Sequence, residues 1–144
     1  MKYLLYGVVA LVVLAVGALF YLGQTSQNGE APGLIDGQLA PCPSSPNCVS
    51  SEAGATGEQQ VDPLPVGAWD ALPGAIADME GTITSQDETY LAAEFTASIF
   101  SFVDDVEFRL AEDGVHVRSA SRVGYSDMGV NSERIAEIRE NLDG

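Results

Sequence analysis

The sequence predicts an α+β domain, an antiparallel sheet of about four strands with helices packed on one face, preceded by one transmembrane helix. Three observations carry this: an uncharged apolar run at the N-terminus, several short segments that alternate apolar and polar residues, and two helical stripes that flank them. The chain has 144 residues, and setting the leader aside leaves roughly 120 for one compact domain and a tether. The expected division is a transmembrane signal-anchor over 1–22, a flexible tether over 23–38 and a globular domain over 39–144.

Residues 3–22 contain no charge, and a helix of that length crosses a hydrocarbon core of about 30 Å. Lys2 precedes the run, and no Lys or Arg follows before residue 40. The positive-inside rule therefore puts the N-terminus in the cytoplasm and the domain outside, in a single-pass arrangement at the inner (cytoplasmic) membrane facing the periplasm or cell exterior. A cleaved signal peptide is the alternative, but its apolar stretch is shorter and ends in a small-residue cleavage site, and here Ala15-Val16-Gly17 lies inside the run.

Residues 24–67 hold six of the seven prolines and little apolar periodicity, which reads as tether and irregular structure. Within them Cys42 and Cys48 bracket a proline-stiffened stretch that should be ordered. They are the only two cysteines. An exported domain with an even cysteine count favours a structural disulfide, reduced thiols being the alternative. The spacing fits no redox or haem motif, and with one histidine in the chain no zinc set is completed.

Over 68–80, Trp69, Leu72, Ile76 and Met79 form a helical stripe that Pro73-Gly74 should kink or split. Strand character begins at 81–84 and continues as alternation over 90–96. Segments 102–110 and 115–123 form a hairpin around 111–114, whose Asp113-Gly114 is a turn signal. With a four-residue turn, Leu110 pairs with Val115, Glu107 faces Arg118 and Asp104 faces Ser121. A two-residue turn would set Arg109 against Arg118, and like-charge repulsion argues against it. The last helix is expected over 132–142, with Ile135, Ile138 and Leu142 on one face and Asn131 as its N-cap.

The protein is acidic: 21 Asp and Glu oppose 6 Lys and Arg, for a net charge of −15. Phosphate backbones demand the opposite sign, so nucleic acid is excluded as a partner. The only lysine is Lys2, and a lysine-free carboxylate surface reads as a device for solubility in salt rather than as an acidic binding site.

The candidate chemistry gathers on the hairpin and the loop after it. Period two puts Asp104 on the apolar face of its strand, where a carboxylate requires a partner, and Asp105 and Glu107 on the other. Glu107 with Arg118 reads as a pair on the sheet surface. The stretch 118–131 collects Arg118, Ser119, Ser121, Arg122, Tyr125, Asp127 and Asn131 just before Arg134. Arg122 and Arg134 with the last helix's amides could hold an anion, but Asp104 and Asp127 would serve equally well as internal partners. No Gly-x-Ser-x-Gly elbow or phosphate-binding glycine loop is present, His116 reads as a lone exposed histidine, and Asp104, Asp105 and Glu107 lack the spacing of a calcium loop. No metal or cofactor is expected.

The segments LAPCPSSPNCVSS over 39–51, FVDDVEF over 102–108 and VRSASRVGYSDMGVN over 117–131 resemble the signature of domain of unknown function family 1499. The family's members are small bacterial or plastid proteins, often exported or membrane-anchored. The resemblance spans about 39–142 and implies that Cys42, Cys48, Asp104, Asp105, Glu107, Arg118, Ser119, Ser121, Arg122, Gly124, Tyr125, Ser126, Asp127, Gly129, Asn131 and Arg134 fall on motif positions. The family pattern places a basic residue after Asn131 where this chain has Ser132, which weakens an anion site.

The functional expectation is a membrane-tethered envelope domain that binds a protein or another envelope component through the loop 118–131 and the adjoining carboxylate strand. The alternative is a small-molecule-binding protein or enzyme with Asp104 or Asp105 as acid/base and Arg118, Arg122 and Tyr125 orienting the substrate. A solvent-open polar pocket holding Asp104 and Arg122 would favour that alternative.

Overall fold

The computed structural model describes residues 1–143. Helix α1 (Lys2–Ser26) leads, long and apolar enough to cross a membrane. A two-stranded ribbon, β1 (Leu34–Ile35) and β2 (Gln38–Leu39), follows, turned by Asp36 and Gly37 with φ of 53° and 79°. Two positive φ angles are what the tightest hairpin turn requires, and Asp-Gly tolerates them. Next come β3 (Cys48–Ser50), α2 (Leu72–Asp78), β4 (Thr82–Gln86), β5 (Tyr90–Thr96), β6 (Val103–Ala111), β7 (Gly114–Ser121) and α3 (Val130–Asp143).

The main sheet is antiparallel in the order β3-β7-β6-β5-β4. It has five strands where four were expected. The extra strand is β3, the cysteine-bearing segment, which pairs along β7 with Val49 opposite Ser119. The hairpin register is the expected one, Leu110 with Val115, Glu107 with Arg118 and Asp104 with Ser121.

Helices α2 and α3 cover one face of the sheet. The core between them holds Leu72, Ile76, Leu91, Val106, Phe108, Val117, Ile135 and Ile138, each contributing roughly 1.5–3 kcal/mol on full burial. The stripe over 68–80 is split at the proline: a 3₁₀ turn, Val66–Ala71, hands over to α2, with Pro73 in the first helical turn, where its missing N–H costs nothing. Helix α3 begins at Val130, so Asn131 lies inside the first turn and is not the N-cap. The Asp127 carboxylate accepts the Gly129 and Asn131 amides instead.

The other face is covered too. Part of the stretch expected as a tether, with the first residue of the expected domain, runs over it: Ala31 and Leu39 pack with Tyr90 and Ala92, the Gly33 amide donates to Glu107 and the Leu39 amide to Glu52. The end of α1 docks on the β5–β6 loop. Phe20 meets Phe100 edge to face with ring centroids 5.0 Å apart. A Cβ on Gly23 would fall 1.7 Å from the Phe100 carbonyl oxygen, so this approach is open only to glycine. Ser26 is buried. Its hydroxyl donates to the Gly23 carbonyl at 2.6 Å and accepts the Val103 amide at 3.1 Å.

Candidate functional site

Period two divides β6 between two environments, as the alternation requires. Asp104 points toward the helices, where Arg134 of α3 meets it at 2.7 Å. The Arg134 guanidinium also lies 4.9 Å above the Phe95 ring and donates to Asn131 Oδ1 at 2.8 Å. Asn131 is fully buried and joins the loop to the sheet: it accepts the Ser119 hydroxyl at 2.5 Å and donates to Ser121 Oγ, to the Asn47 carbonyl and to Asp127. Burial would push the Asp127 carboxyl up, but the Asn131 and Gly129 amides and the Asn131 side chain outweigh it and hold its pKa below the usual value.

On the opposite face Glu107 is completely buried and accepts three donors: the Tyr90 hydroxyl at 2.8 Å, the Gly33 amide at 2.9 Å and Arg118 Nη1 at 3.0 Å. The expected surface pair is therefore an interior one, roofed by residues 31–39. Burial raises the Glu107 pKa above the usual carboxylate value even against Tyr90 and Arg118. Burial and the bond to Glu107 push the Tyr90 phenol up in turn. Arg118 Nε is buried with no partner among the described residues.

Arg122 points to this same face. Its Nε and Nη2 grip both Asp105 oxygens, at 2.8 and 2.6 Å, Nη2 also meets Glu94, and Nη1 donates to the Ser26 carbonyl at 3.1 Å. Bonding to Asp105 raises its pKa further, so it stays charged. Glu94 lies directly opposite Asp105 in the β5–β6 ladder, a like-charge juxtaposition that costs energy unless a cation sits between the two. Arg122 is that cation, and it ties the last turn of α1 to the sheet. Further along, Glu52 takes a two-pronged bond from Arg109 at 2.7 and 3.0 Å. His116 lies against Ser51 and Asp113 and is buried, not exposed.

The structure thus brings together Asp105 with Arg122, Glu107 with Arg118, and Asp104, Ser119, Ser121, Asp127, Asn131 and Arg134 around the start of α3. It does not bring Asp104 to Arg122, which face opposite sides of the sheet. Tyr125 stands exposed in the loop. Glu52, Glu94, Asn47, Tyr90 and Ser26 complete the networks without having been singled out in the sequence; alternation over 90–96 does place Tyr90 and Glu94 together on the face opposite Leu91, Ala93 and Phe95. Cys42 and Cys48 form the disulfide. Among the described residues no three His, Cys, Asp or Glu side chains are arranged to hold a metal ion.

Three cavities adjoin these networks. One of about 470 Å³ lies between α2 and α3, lined by Asp78, Glu80, Glu133 and Glu137 with Phe95 and Arg134. Another, about 380 Å³, is mostly apolar and lies between α1 and the loops after β5 and β7, with Asp104, Ser121 and Asp127 among its lining. The third, of about 400 Å³, lies between Pro46, Glu58 and the loop at 126–129 and is lined by Asp127 and Met128. Asp105, Glu107, Arg118 and Arg122 line none of the three.

The family model described as "Protein of unknown function (DUF1499)" matches residues 38–142. The chain belongs to the DUF1499 family. The match takes in both strands of the hairpin, the loop after it and all three motif arginines, so the ion pairs lie within the DUF1499 domain, while α1 and the network members Ser26 and Gly33 lie before it. No curated protein and no solved structure matches the chain.

Proposed function

We propose that this protein is a single-pass, membrane-anchored DUF1499 domain that acts by binding rather than by catalysis, with α1 retained as a signal-anchor and the domain outside the cytoplasmic membrane. The observation that carries the reading is the closure of the charged motif on itself. Asp104 is spent on Arg134, Asp105 on Arg122, Glu107 on Arg118 and Asp127 on helix amides. A general acid or base must reach a substrate proton; Asp105 and Glu107 line none of the three cavities, and Asp104 and Asp127, which do, are already held by Arg134 and by amides.

What the motif accomplishes in this reading is assembly. Arg122 joins three elements by bonding Glu94 on β5, Asp105 on β6 and the carbonyl end of α1, where a cation also complements the helix dipole. Retention of the anchor is supported by Gly23 and Ser26, which a cleaved leader would not need to fit against the domain. The disulfide fits an oxidising compartment, and the acidic, lysine-free surface fits solubility in salt. Binding then falls to the loop at 123–130, where Tyr125 and Met128 are exposed.

A photo-crosslinking residue at Tyr125 or Met128, and for comparison at Asp113 on the far hairpin turn, tests this in the producing cell. Adducts from the loop positions alone are expected. Adducts from Asp113 alone, or a mature chain that begins beyond Ser26, would overturn the reading.

A further inference from the structure

The cavity of about 380 Å³ beside α1 has walls of two kinds. Leu19 and Leu22 of the anchor helix form one side. Ala97, Phe102, Val123 and Met128, from the loops after β5 and β7, form the other. Leu19 and Leu22 belong to the last turns of the uncharged run, so loops touching them lie at the depth where an anchored α1 leaves the hydrocarbon for the headgroups.

Charge follows the same boundary. In a chain with 21 acidic residues, positions 97–102 carry none and positions 123–130 carry only Asp127, which is committed to the α3 amides. The same loops expose Ile99 (68%), Tyr125 (75%), Met128 (93%) and Val130 (43%). Large apolar side chains gathered on two neighbouring loops that carry a single carboxylate between them mark a surface with a partner. Tyrosine at such a rim is suited to the water–lipid interface, with its ring in the apolar layer and its hydroxyl in the polar one.

We propose that the loops bearing Ile99 and Met128 dip into the exterior leaflet and that the cavity between them and α1 takes an acyl chain of a membrane lipid. The site is apolar along its walls, and Asp104, Ser121, Ser126 and Asp127 supply polar atoms in its lining. Asp104 and Asp127 are already paired with Arg134 and with amides. The Ser121 and Ser126 hydroxyls are therefore the groups able to donate to a lipid ester oxygen, the division expected of a pocket that admits a hydrocarbon chain and fixes its position through few polar contacts. An anionic headgroup would be repelled by the surrounding carboxylates, so zwitterionic or neutral lipid fits better. The inference rests on α1 being a retained membrane anchor and deepens that reading by naming what the exposed loop binds.

The test uses the full chain reconstituted into phosphatidylcholine vesicles with and without acyl-chain bromines. A single-tryptophan form, Trp69→Phe with Met128→Trp, is expected to emit at short wavelength and to lose most of its emission to the brominated chains. The unsubstituted chain, whose Trp69 lies among the helices, is expected to be unaffected. In parallel, native mass spectrometry of the unsubstituted chain extracted in mild detergent is expected to show one bound lipid, lost in Ala97→Trp, which fills the cavity. Water-like, unquenched emission from residue 128 in a chain that floats with the vesicles would overturn the inference and leave the anchor reading intact. Lipid retained undiminished by a folded Ala97→Trp chain would overturn the cavity assignment. A chain that does not float with the vesicles would overturn the anchor reading, and the inference with it.

Discussion

Replacing Glu107 with glutamine keeps the shape of the side chain and removes its charge. The structure indicates which bonds survive. Tyr90 and Gly33 both donate to Oε1, and the glutamine carbonyl can accept both. The amide nitrogen then takes the place of Oε2, 3.0 Å from Arg118 Nη1, so two donors face each other. Arg118 is 8% exposed and its Nε already has no partner, so its charge is left uncompensated in the interior. Breaking one side of such a pair costs about 3–5 kcal/mol. At roughly 4 °C per kcal/mol for a domain of this size, the melting temperature should fall by about 12–20 °C. Trp69 is the only tryptophan and packs against the core, so its emission during urea unfolding of the full chain in micelles follows the domain without interference from α1. The double variant Glu107→Met with Arg118→Met removes both charges and should recover much of the loss, because an apolar pair of similar volume is often no worse than a buried ion pair. A Glu107→Gln chain within about 1 kcal/mol of the natural one, the worth of a surface pair, would refute the reasoning.

Four further outcomes follow from the same networks. Glu52 has a pKa below its usual 4.5 because Arg109, the Leu39 amide and His116 outweigh its burial; its contribution is therefore full above the unfolded pKa and lost as pH falls through the folded one, so the stability gap to Glu52→Gln in urea should narrow between about pH 6 and about pH 3. Replacing Cys42 and Cys48 together by alanine opens a loop of sequence separation 6 and should lower unfolding free energy by about 2 kcal/mol, read by the same titration. Asp127→Ala removes the acceptor for the first amides of α3 and should cost roughly 1 kcal/mol, with faster amide exchange at 129–131. Gly23→Val should detach α1 from the β5–β6 loop and speed proteolysis at residues 27–33 while leaving the Trp69 transition nearly unchanged.

Much of the hairpin was legible because strand registers are tightly constrained. Keeping Arg109 away from Arg118 selects the register that aligns Glu107 with Arg118; the strands extend to an Ala111–Gly114 pair, which leaves only Glu112 and Asp113 in the turn. The two faces of β6 also follow from alternation, including the misplaced carboxylate at Asp104 and its need for a partner. What alternation does not reveal is the cover over the polar face. Residues 31–39 hold that face partly through the main-chain amides of Gly33 and Leu39, which every residue but proline possesses and which leave no trace in side-chain periodicity. For the same reason Glu107 and Arg118 looked like surface residues, and β3, three residues long in a proline-rich stretch, went unrecognised.

The start of α3 shows a different limit. Asn131 is a good N-cap by type, yet its side chain is drawn into the sheet by Ser119, Ser121 and Asn47, and the cap passes to Asp127 four residues earlier. Arg122 likewise finds its partners on Glu94 and on the end of α1, two segments far from it in sequence. The motif's residue types were readable; which of them meet is decided by tertiary packing.

The account turns on α1 being retained and seated on the domain, and Phe20 with Phe100 tests this most directly. A chain carrying Phe20→Cys and Phe100→Cys, exposed to mild oxidant in native membranes and then cleaved at glutamates between the two positions, should give N-terminal and domain fragments that stay joined until reduced. Fragments that separate without reduction, or a mature chain that begins after residue 20, would contradict it.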